Sequence, residues 1–234
     1  YQTGVFPNIV REYLQHIFLN AISKYPNKFV FKGGTCLRIC YGLERASEDL
    51  DFSTSLNVRE IKEVVEKCLK DFELLDIDYR IYAEKEFEGN LRIEARFEGP
   101  LFSGKSASTN TLKMDFNKQK ARHFIVKVIP KLFSDVPAFT LVVLDEKEIL
   151  AEKIRALVNR SQARDMYDVW MLLNKGIKID KNLLWEKLKE EKNDLSKLRF
   201  PLKEEYERDL KYLLIVLPPY EQVRRELEEK IKKK

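Results

Sequence analysis

Two neighbouring segments of the sequence decide the fold: residues 31–38 read Phe-Lys-Gly-Gly-Thr-Cys-Leu-Arg, and residues 47–52 read Ser-Glu-Asp-Leu-Asp-Phe. The apolar run that ends at Phe31 predicts a short buried strand. Gly33-Gly34 predicts a turn, after which Thr35 caps a short helix over residues 36–41. A second strand is expected over residues 50–53. The sequence therefore predicts the order strand, glycine turn, short helix and strand.

The rest of the chain changes character near residue 145. Helical spacing predicts an amphipathic first helix that begins at Pro7 and another over residues 58–72. Alternating apolar and polar residues then predict strands at residues 77–85, 91–97, 112–116 and 124–128, with one more at 141–144. From Asp145 onward the period is helical. We therefore predict an α/β (α+β) fold with a mixed-sheet lobe over residues 1–145, followed by a helical C-terminal lobe over residues 146–234.

Composition excludes several classes of protein. The 234 residues are 44% hydrophobic, which is enough for a buried core and excludes intrinsic disorder. The net charge of +5 is too small for a polybasic protein, so any nucleic acid must be bound by a local patch. No apolar run is long enough for a membrane span or a secretory signal, and we expect a cytoplasmic protein. Three cysteines without a CxxC pair argue against a disulfide framework and a structural zinc site.

Two aspartates and the glycine turn form the first candidate site. Asp49 and Asp51 are two apart in a strand, so their carboxylates point to the same face about 6.7 Å apart and suit Mg²⁺. Gly33 and Gly34 precede a helix N-terminus, where backbone N–H groups and the helix dipole favour a phosphate. The alternative is a solvated strand edge beside an ordinary tight turn.

A third carboxylate fits the same arrangement. Asp115 alternates with Met114 and Phe116 and shares a strand face with Lys113. If its strand lies beside the strand of Asp51, the three acids form a metal site that suits two-metal nucleotidyl transfer. The alternative is an exposed aspartate on an edge strand. A basic group around a predicted strand turn either contacts RNA phosphates or forms a solvated face; it comprises Lys118, Lys120, Arg122 and Lys127.

Lys153 is the anomaly of the helical half. It lies within an apolar helical stripe that includes Ile154 and Leu157, where a cation is costly unless it meets a counter-charge or a ligand phosphate. Asp165 and Asp168 lie three apart on one face of the next predicted helix. Lys153 therefore either binds a phosphate or forms an ion pair with Asp168 that ties the two helices together.

Taken together, these motifs resemble the AbiEii/AbiGii toxin family, which includes the MenT toxins. The motifs are Gly33-Gly34-Thr35, Ser47-x-Asp49-x-Asp51, Lys113-x-Asp115, Glu152 to Leu157, and Arg164-Asp165-x-Tyr167-Asp168. The family consists of type IV toxin–antitoxin nucleotidyltransferases with a DNA-polymerase-β-like fold. The resemblance implies that Gly33, Gly34 and Thr35 bind nucleotide phosphates, that Asp49 and Asp51 bind the catalytic Mg²⁺, and that Lys153 binds the triphosphate. Asp168, or alternatively Asp165, corresponds to the fourth-motif acid, and Arg45 is a candidate phosphate ligand or a surface residue.

The resemblance also implies a function. We expect a Mg²⁺-dependent nucleotidyltransferase toxin that transfers a nucleotide from an NTP to the 3′ end of tRNA and blocks translation. An AbiEi-type antitoxin from a neighbouring gene is the expected partner. Two alternatives remain: transfer to a hydroxyl of a protein or small molecule, and a regulatory module that binds an NTP without catalysis. An intact carboxylate set argues against the regulatory module, because binding alone does not require mutually repelling acids.

Overall fold

A computed structural model describes residues 5–232, with the side chains of residues 9–231. The chain divides into two compact units. Unit 1 comprises Tyr1–Cys40 and Glu48–Leu144, and unit 2 comprises Tyr41–Ser47 and Asp145–Lys234. The segment Tyr41–Ser47 therefore groups with the helical half of the chain, although it precedes the second strand in sequence.

Unit 1 is a mixed β-sheet with helices. Its helices are α1 (Val5–Ile22), α2 (Gly33–Tyr41) and α3 (Val58–Glu73), and its strands are β1 (Phe29–Lys32), β2 (Leu50–Thr54), β3 (Asp78–Phe87), β4 (Asn90–Glu98), β5 (Asn110–Asn117), β6 (Phe124–Ile129) and β7 (Phe139–Leu144). The seven strands have the order β3-β4-β5-β2-β1-β7-β6. Strand β1 is antiparallel to β2 and parallel to β7, and β2 is parallel to β5. The predicted mixed sheet and its antiparallel extension β3-β4-β5 are confirmed.

One face of the sheet carries the aromatic core of unit 1. The rings of Phe52 and Phe116 stack with centroids 5.3 Å apart, and Phe31 lies 5.3 Å from Phe52. Phe18 of α1 contacts the same cluster, because α1 packs on this side of the sheet. Side chains alternate along a strand, so the residues between these phenylalanines point to the opposite face. That opposite face carries the predicted carboxylates.

Helix α2 differs from the predicted short helix. It begins at Gly33 and not after Thr35, so the prediction of Thr35 as its N-cap is wrong. The Thr35 hydroxyl instead donates a hydrogen bond to the main-chain oxygen of Asp49 at 2.6 Å. The helix starts early because Gly33 adopts a φ of +78°, which allows a sharp turn directly after β1.

Unit 2 is helical, as predicted. Its helices are α4 (Glu146–Arg160), α5 (Ala163–Asn174), α6 (Lys181–Glu190), α7 (Lys203–Leu210) and α8 (Tyr220–Lys232). Asp145 caps α4 by accepting a hydrogen bond from the amide of Lys147, and Ser161 ends it in a left-handed conformation. Within residues 5–232, none of the helices has the length and apolar character that a membrane span requires.

Candidate active site

A row of four charged residues crosses the open face of the unit 1 sheet. Asp51 of β2 is paired with Lys32 of β1 on one side and with Asp115 of β5 on the other. Asp115 is in turn paired with Arg92 of β4. Paired residues on adjacent strands point to the same face and lie about 5 Å apart. The strand register therefore brings Asp51 and Asp115 together, flanked by one cation on each side.

Asp49 lies two residues before Asp51, just before β2, which begins at Leu50. Burial raises the pKa of Asp49 and the charge of Asp115 raises it further, whereas Lys113 and Arg92 act in the opposite direction. Asp51 and Asp115 thus share one face of the sheet, as the alternating pattern predicts. The place of Asp49 on that face stays a prediction.

The glycine turn approaches these acids closely. A Cβ atom added to Gly33 would lie 2.2 Å from the Oδ2 atom of Asp51, which is far inside van der Waals contact. Only glycine fits here, both for this distance and for its positive φ. The start of α2, where the first backbone N–H groups have no partner within the helix, therefore lies directly beside the Asp51 carboxylate.

Asp115 differs from the other two acids because an arginine holds it. The Arg92 guanidinium donates two hydrogen bonds to the Asp115 carboxylate, at 2.7 and 2.9 Å. In the described part of the chain, no group of three or more His, Cys, Asp or Glu side chains is arranged to hold a metal ion. Mg²⁺ commonly binds one or two protein carboxylates and completes its octahedron with water and substrate phosphates. The pair Asp49 and Asp51 fits that kind of site, and the role of Asp115 as a third ligand remains a prediction.

Unit 2 holds a second, separate charge cluster. Lys153 of α4 contacts two carboxylates of α5: Asp168 at 2.8 Å and Asp165 at 3.1 Å. Arg45 donates two hydrogen bonds to Asp168, at 2.6 and 2.7 Å, and Arg160 donates two to Asp165, at 2.7 and 3.1 Å. The predicted alternative, a Lys153–Asp168 ion pair between the helices, is therefore present. Three cations surround two acids, which leaves the cluster with a net charge of +1.

The electrostatics of this cluster favour the ionised forms of Asp168 and Lys153. Burial raises the pKa of Asp168, but Lys153 and Arg45 outweigh that effect and the pKa is lowered. Burial likewise lowers the pKa of Lys153, yet Asp168 and Asp165 outweigh it and the pKa is raised. An ammonium group has three N–H donors, and these two carboxylates use two of them. The side chain of Lys153 is 12% exposed, and its role as a phosphate ligand stays a prediction.

Arg45 lies buried beside Asp168, a position that the sequence alone does not predict. Its side chain is 3% exposed, and its guanidinium is committed to Asp168 and to the main-chain oxygen of Ala46. Of the two alternatives for Arg45, the structure contradicts the surface residue. It also shows both edges of the guanidinium engaged by protein groups, which makes Arg45 a residue that positions Asp168.

Two residues of unit 1, Arg92 and Ser53, were not among the site residues that the sequence predicted. Arg92 alternates with Glu94 and Arg96 on the outward face of β4, but only the β4–β5 register reveals its partner. Ser53 continues the alternation of Asp49 and Asp51 and lies on the same face, so extending that pattern by two residues would have found it. Its hydroxyl is buried and has no hydrogen-bond partner among the described residues.

Comparison with known proteins places the chain in a family. The structure resembles MenT4, a nucleotidyltransferase toxin of Mycobacterium tuberculosis, with a TM-score of 0.68, 20% identity and coverage of 96% of this chain and 82% of that one. It also resembles JHP933 of Helicobacter pylori, with a TM-score of 0.64, 22% identity and coverage of 97% and 90%. No curated protein matches the sequence. The family described as "Nucleotidyl transferase AbiEii toxin, Type IV TA system" matches residues 17–233. The chain therefore belongs to the AbiEii family of nucleotidyltransferase toxins, as its motifs predict.

Proposed function

We propose that this nucleotidyltransferase toxin uses Mg²⁺ to transfer a nucleotide from an NTP to the 3′ end of tRNA and thereby blocks translation. The observation that carries the proposal is the close approach of the Gly33 turn to Asp51. It supports the proposal because a helix start, which favours phosphate, and Asp51, a carboxylate that suits a divalent cation, are then neighbours. Nucleotidyl transfer needs these two features side by side.

Asp49 and Asp51 are the residues that would hold Mg²⁺. The chemistry that the ion supplies when bound is a lower pKa for the attacking hydroxyl and neutralisation of charge on the leaving pyrophosphate. The raised pKa of Asp49 reflects an acid whose charge its surroundings do not fully compensate. Such an acid gains more from an added cation than a paired one does.

The start of α2 would bind the phosphates of the NTP. Gly33 and Gly34 present backbone N–H groups without side chains in the way, and the helix dipole favours the negative charge. The Thr35 hydroxyl donates a hydrogen bond to the main-chain oxygen of Asp49, and the expected contact of Thr35 with the phosphates stays a prediction. We propose that this bond fixes the distance between the phosphate turn and the carboxylates.

Lys153 would neutralise charge on the triphosphate. Its ammonium is buried among Asp165 and Asp168 and is held in one position by both. A cation fixed in advance stabilises developing charge without having to reorganise during the reaction. Asp168, itself fixed by Arg45, would serve as the positioning acid of this group.

The decisive experiment supplies the protein with one labelled NTP at a time, Mg²⁺ and total tRNA. We expect acid-precipitable label that RNase releases and that requires Mg²⁺. Label that resists RNase but is released by protease would identify a protein acceptor, and label in a small molecule would identify a low-molecular-weight acceptor. NTP binding without any transfer would contradict the proposal.

An antitoxin partner follows from the family, and we propose that an AbiEi-type protein encoded next to this gene fulfils the role. Transfer to tRNA removes aminoacylation sites, so expression without the antitoxin should arrest growth. Growth measured with and without the neighbouring gene tests this expectation. Unimpaired growth of cells that express an active toxin alone would contradict it.

A further inference from the structure

A cavity with a mixed apolar and polar lining lies on the open face of the unit 1 sheet, beside the carboxylates. Its volume is about 560 Å³, and its lining includes Lys28, Ser53, Lys118, Lys120, Phe124 and Val142. Ligand sites in proteins generally span about 300 to 1,000 Å³. The cavity is therefore large enough for a nucleotide.

The strand register locates this cavity relative to the carboxylates. Strands β1 and β2 are antiparallel, with Lys32 paired to Asp51 and Val30 paired to Ser53. Gly33 follows Lys32 at one end of β1, and the cavity begins at Val30 and Ser53 toward the other end. Asp51 thus lies between the phosphate turn and the cavity, with Ser53 about 6.7 Å from it along the strand.

The order of glycine turn, carboxylates and cavity limits where the acceptor can bind, and this step rests on the proposed function. In nucleotidyl transfer, the attacking hydroxyl and the leaving pyrophosphate lie in line on opposite sides of the transferred phosphorus. If the triphosphate lies at the Gly33 turn and the metal at Asp49 and Asp51, the acceptor must approach from the far side. The cavity at Ser53 occupies that far side.

One buried polar group that lines the cavity, and a second beside it on the neighbouring strand, have no hydrogen-bond partner among the described residues. The Ser53 hydroxyl belongs to a side chain that is 4% exposed, and it lines the cavity. Its neighbour on β5 is Asn117, whose buried side-chain oxygen likewise has no hydrogen-bond partner among the described residues. Buried polar groups in proteins are nearly always hydrogen-bonded, so this pair points to a polar ligand.

The rim of the cavity has the chemistry of a nucleic-acid site. Phe124 of the edge strand β6 is 56% exposed, and it lines the cavity. Lys118 and Lys120 follow the end of β5 on the same rim. An exposed ring with adjacent cations is the combination that binds single-stranded nucleic acid, by base stacking and phosphate contacts.

We propose that this cavity binds the unpaired 3′-terminal nucleotide of an RNA acceptor. The terminal base stacks on Phe124, the ribose hydroxyls bond Ser53 and Asn117, and Lys118 and Lys120 pair with the phosphates that precede it. The basic group that the sequence analysis left open as an RNA contact or a solvated face thus obtains a specific role for two of its members.

The test measures the KM for RNA and the KM for NTP separately in the Mg²⁺-dependent transfer assay. We expect Phe124→Ala to raise the KM for an RNA with an unpaired 3′ end by about 5- to 150-fold, the range for loss of one stacked base. Ser53→Ala should raise the same constant without lowering Tm, because it removes a hydroxyl that has no partner. The KM for NTP should stay unchanged in both variants, and Phe124→Trp should restore RNA binding.

Val128→Ala is the matched control, since Val128 is also exposed on β6 but does not line the cavity. It should change neither constant. A raised KM for NTP in Phe124→Ala would assign the cavity to the incoming base and overturn the proposal. Unchanged constants in both Phe124→Ala and Ser53→Ala would overturn it as well.

Fluorescence anisotropy of labelled RNA, without NTP, separates this proposal from the proposed function. If wild-type protein binds RNA through Phe124 and Ser53 but transfers nothing, the cavity assignment stands and the proposed function fails. If wild-type protein transfers nucleotides and the variants match it, the cavity assignment alone fails. Absence of both binding and transfer to RNA contradicts both.

Discussion

Asp49 in unit 1 and Asp168 in unit 2 both lose contact with water on folding, but their surroundings shift the carboxyl pKa in opposite directions. Burial, reinforced by Asp115, raises the pKa of Asp49. For Asp168 the effect of burial is outweighed by Lys153 and Arg45, and the pKa is lowered. The first acid has a charge that is not fully compensated, and the second is held by two cations. We interpret the first environment as prepared for an added cation and the second as one that fixes a catalytic lysine.

The largest expected effect comes from removing an acid of unit 1. Asp51→Ala or Asp49→Ala should lower the transfer rate by at least about a thousandfold, because the metal contributes several kcal/mol to the transition state. Tm without Mg²⁺ should stay the same or rise, because fewer acids then repel one another. Turnover and thermal melts on the same samples check both expectations. Retained turnover in either variant would remove that residue from the metal site.

Lys153→Met tests the charge cluster of unit 2, in which each aspartate is paired with cations. Turnover should fall by about 10²- to 10³-fold, the usual effect of losing one donor to a charged transition state. Stability should fall by less than the roughly 3 to 5 kcal/mol typical of a broken buried pair. The reason is that Asp168 keeps Arg45 and Asp165 keeps Arg160.

Lys187 offers a matched control for Lys153. It is also a buried lysine of unit 2, and it contacts two glutamates, Glu148 at 2.7 Å and Glu152 at 3.1 Å. Lys187→Met should destabilise the protein by about 3 to 5 kcal/mol while turnover per folded molecule is preserved. Equal losses of turnover in Lys153→Met and Lys187→Met would make Lys153 a structural residue only.

Gly33→Ala sharpens the claim that the phosphate turn and the acids form one site. The added methyl group would collide with Asp51, and misplacement of catalytic groups by about 1 Å costs about a hundredfold in rate. Gly104→Ala is the control, because Gly104 has nearly the same φ, +79°, with nothing within 4 Å of an added Cβ. Both variants should lose about 1 to 2 kcal/mol of stability from backbone strain. An equal loss of turnover in the two would contradict the close approach.

The smallest effect is a pH-dependent change of stability in Asp49→Asn. Because the pKa of Asp49 is raised by folding, the folded state binds more protons than the unfolded state between the two pKa values. Ionisation of Asp49 therefore costs stability as the pH rises. We expect Asp49→Asn and wild type to melt alike below about pH 3.9. The variant should become the more stable protein as the pH rises through the raised pKa, and a reversed trend would show that Asp49 is already compensated.

Local patterns predicted the strands and helices well, because period and turn chemistry act within a few residues. They also predicted that Asp51 and Asp115 share a sheet face, which the register of β2 and β5 confirms, whereas the place of Asp49 on that face stays a prediction. The prediction of Thr35 as a cap was wrong because the positive φ of Gly33 starts α2 three residues before the predicted first residue. A glycine pair allows either conformation, and the contact with Asp51 selects one of them.

The contacts that distinguish the two acids could not be predicted from local patterns. Arg45 is 123 residues from Asp168 in sequence, and Arg92 is 23 residues from Asp115. Such pairs depend on strand register and helix packing, which no short segment specifies. The sequence indicates which residues carry charge, and only the folded chain determines which charges are compensated.

The most direct test of this account is the change in Tm on adding Mg²⁺ with a non-hydrolysable NTP analogue, measured for wild type and Asp51→Asn. At ligand concentrations near 100 times the dissociation constant, wild type should melt about 5 to 10 °C higher. Asp51→Asn should show little or none of this rise, because the amide replaces a carboxylate that holds the cation. An equal rise in both proteins, or no rise in wild type, would contradict the assignment of the carboxylate pair as the metal site.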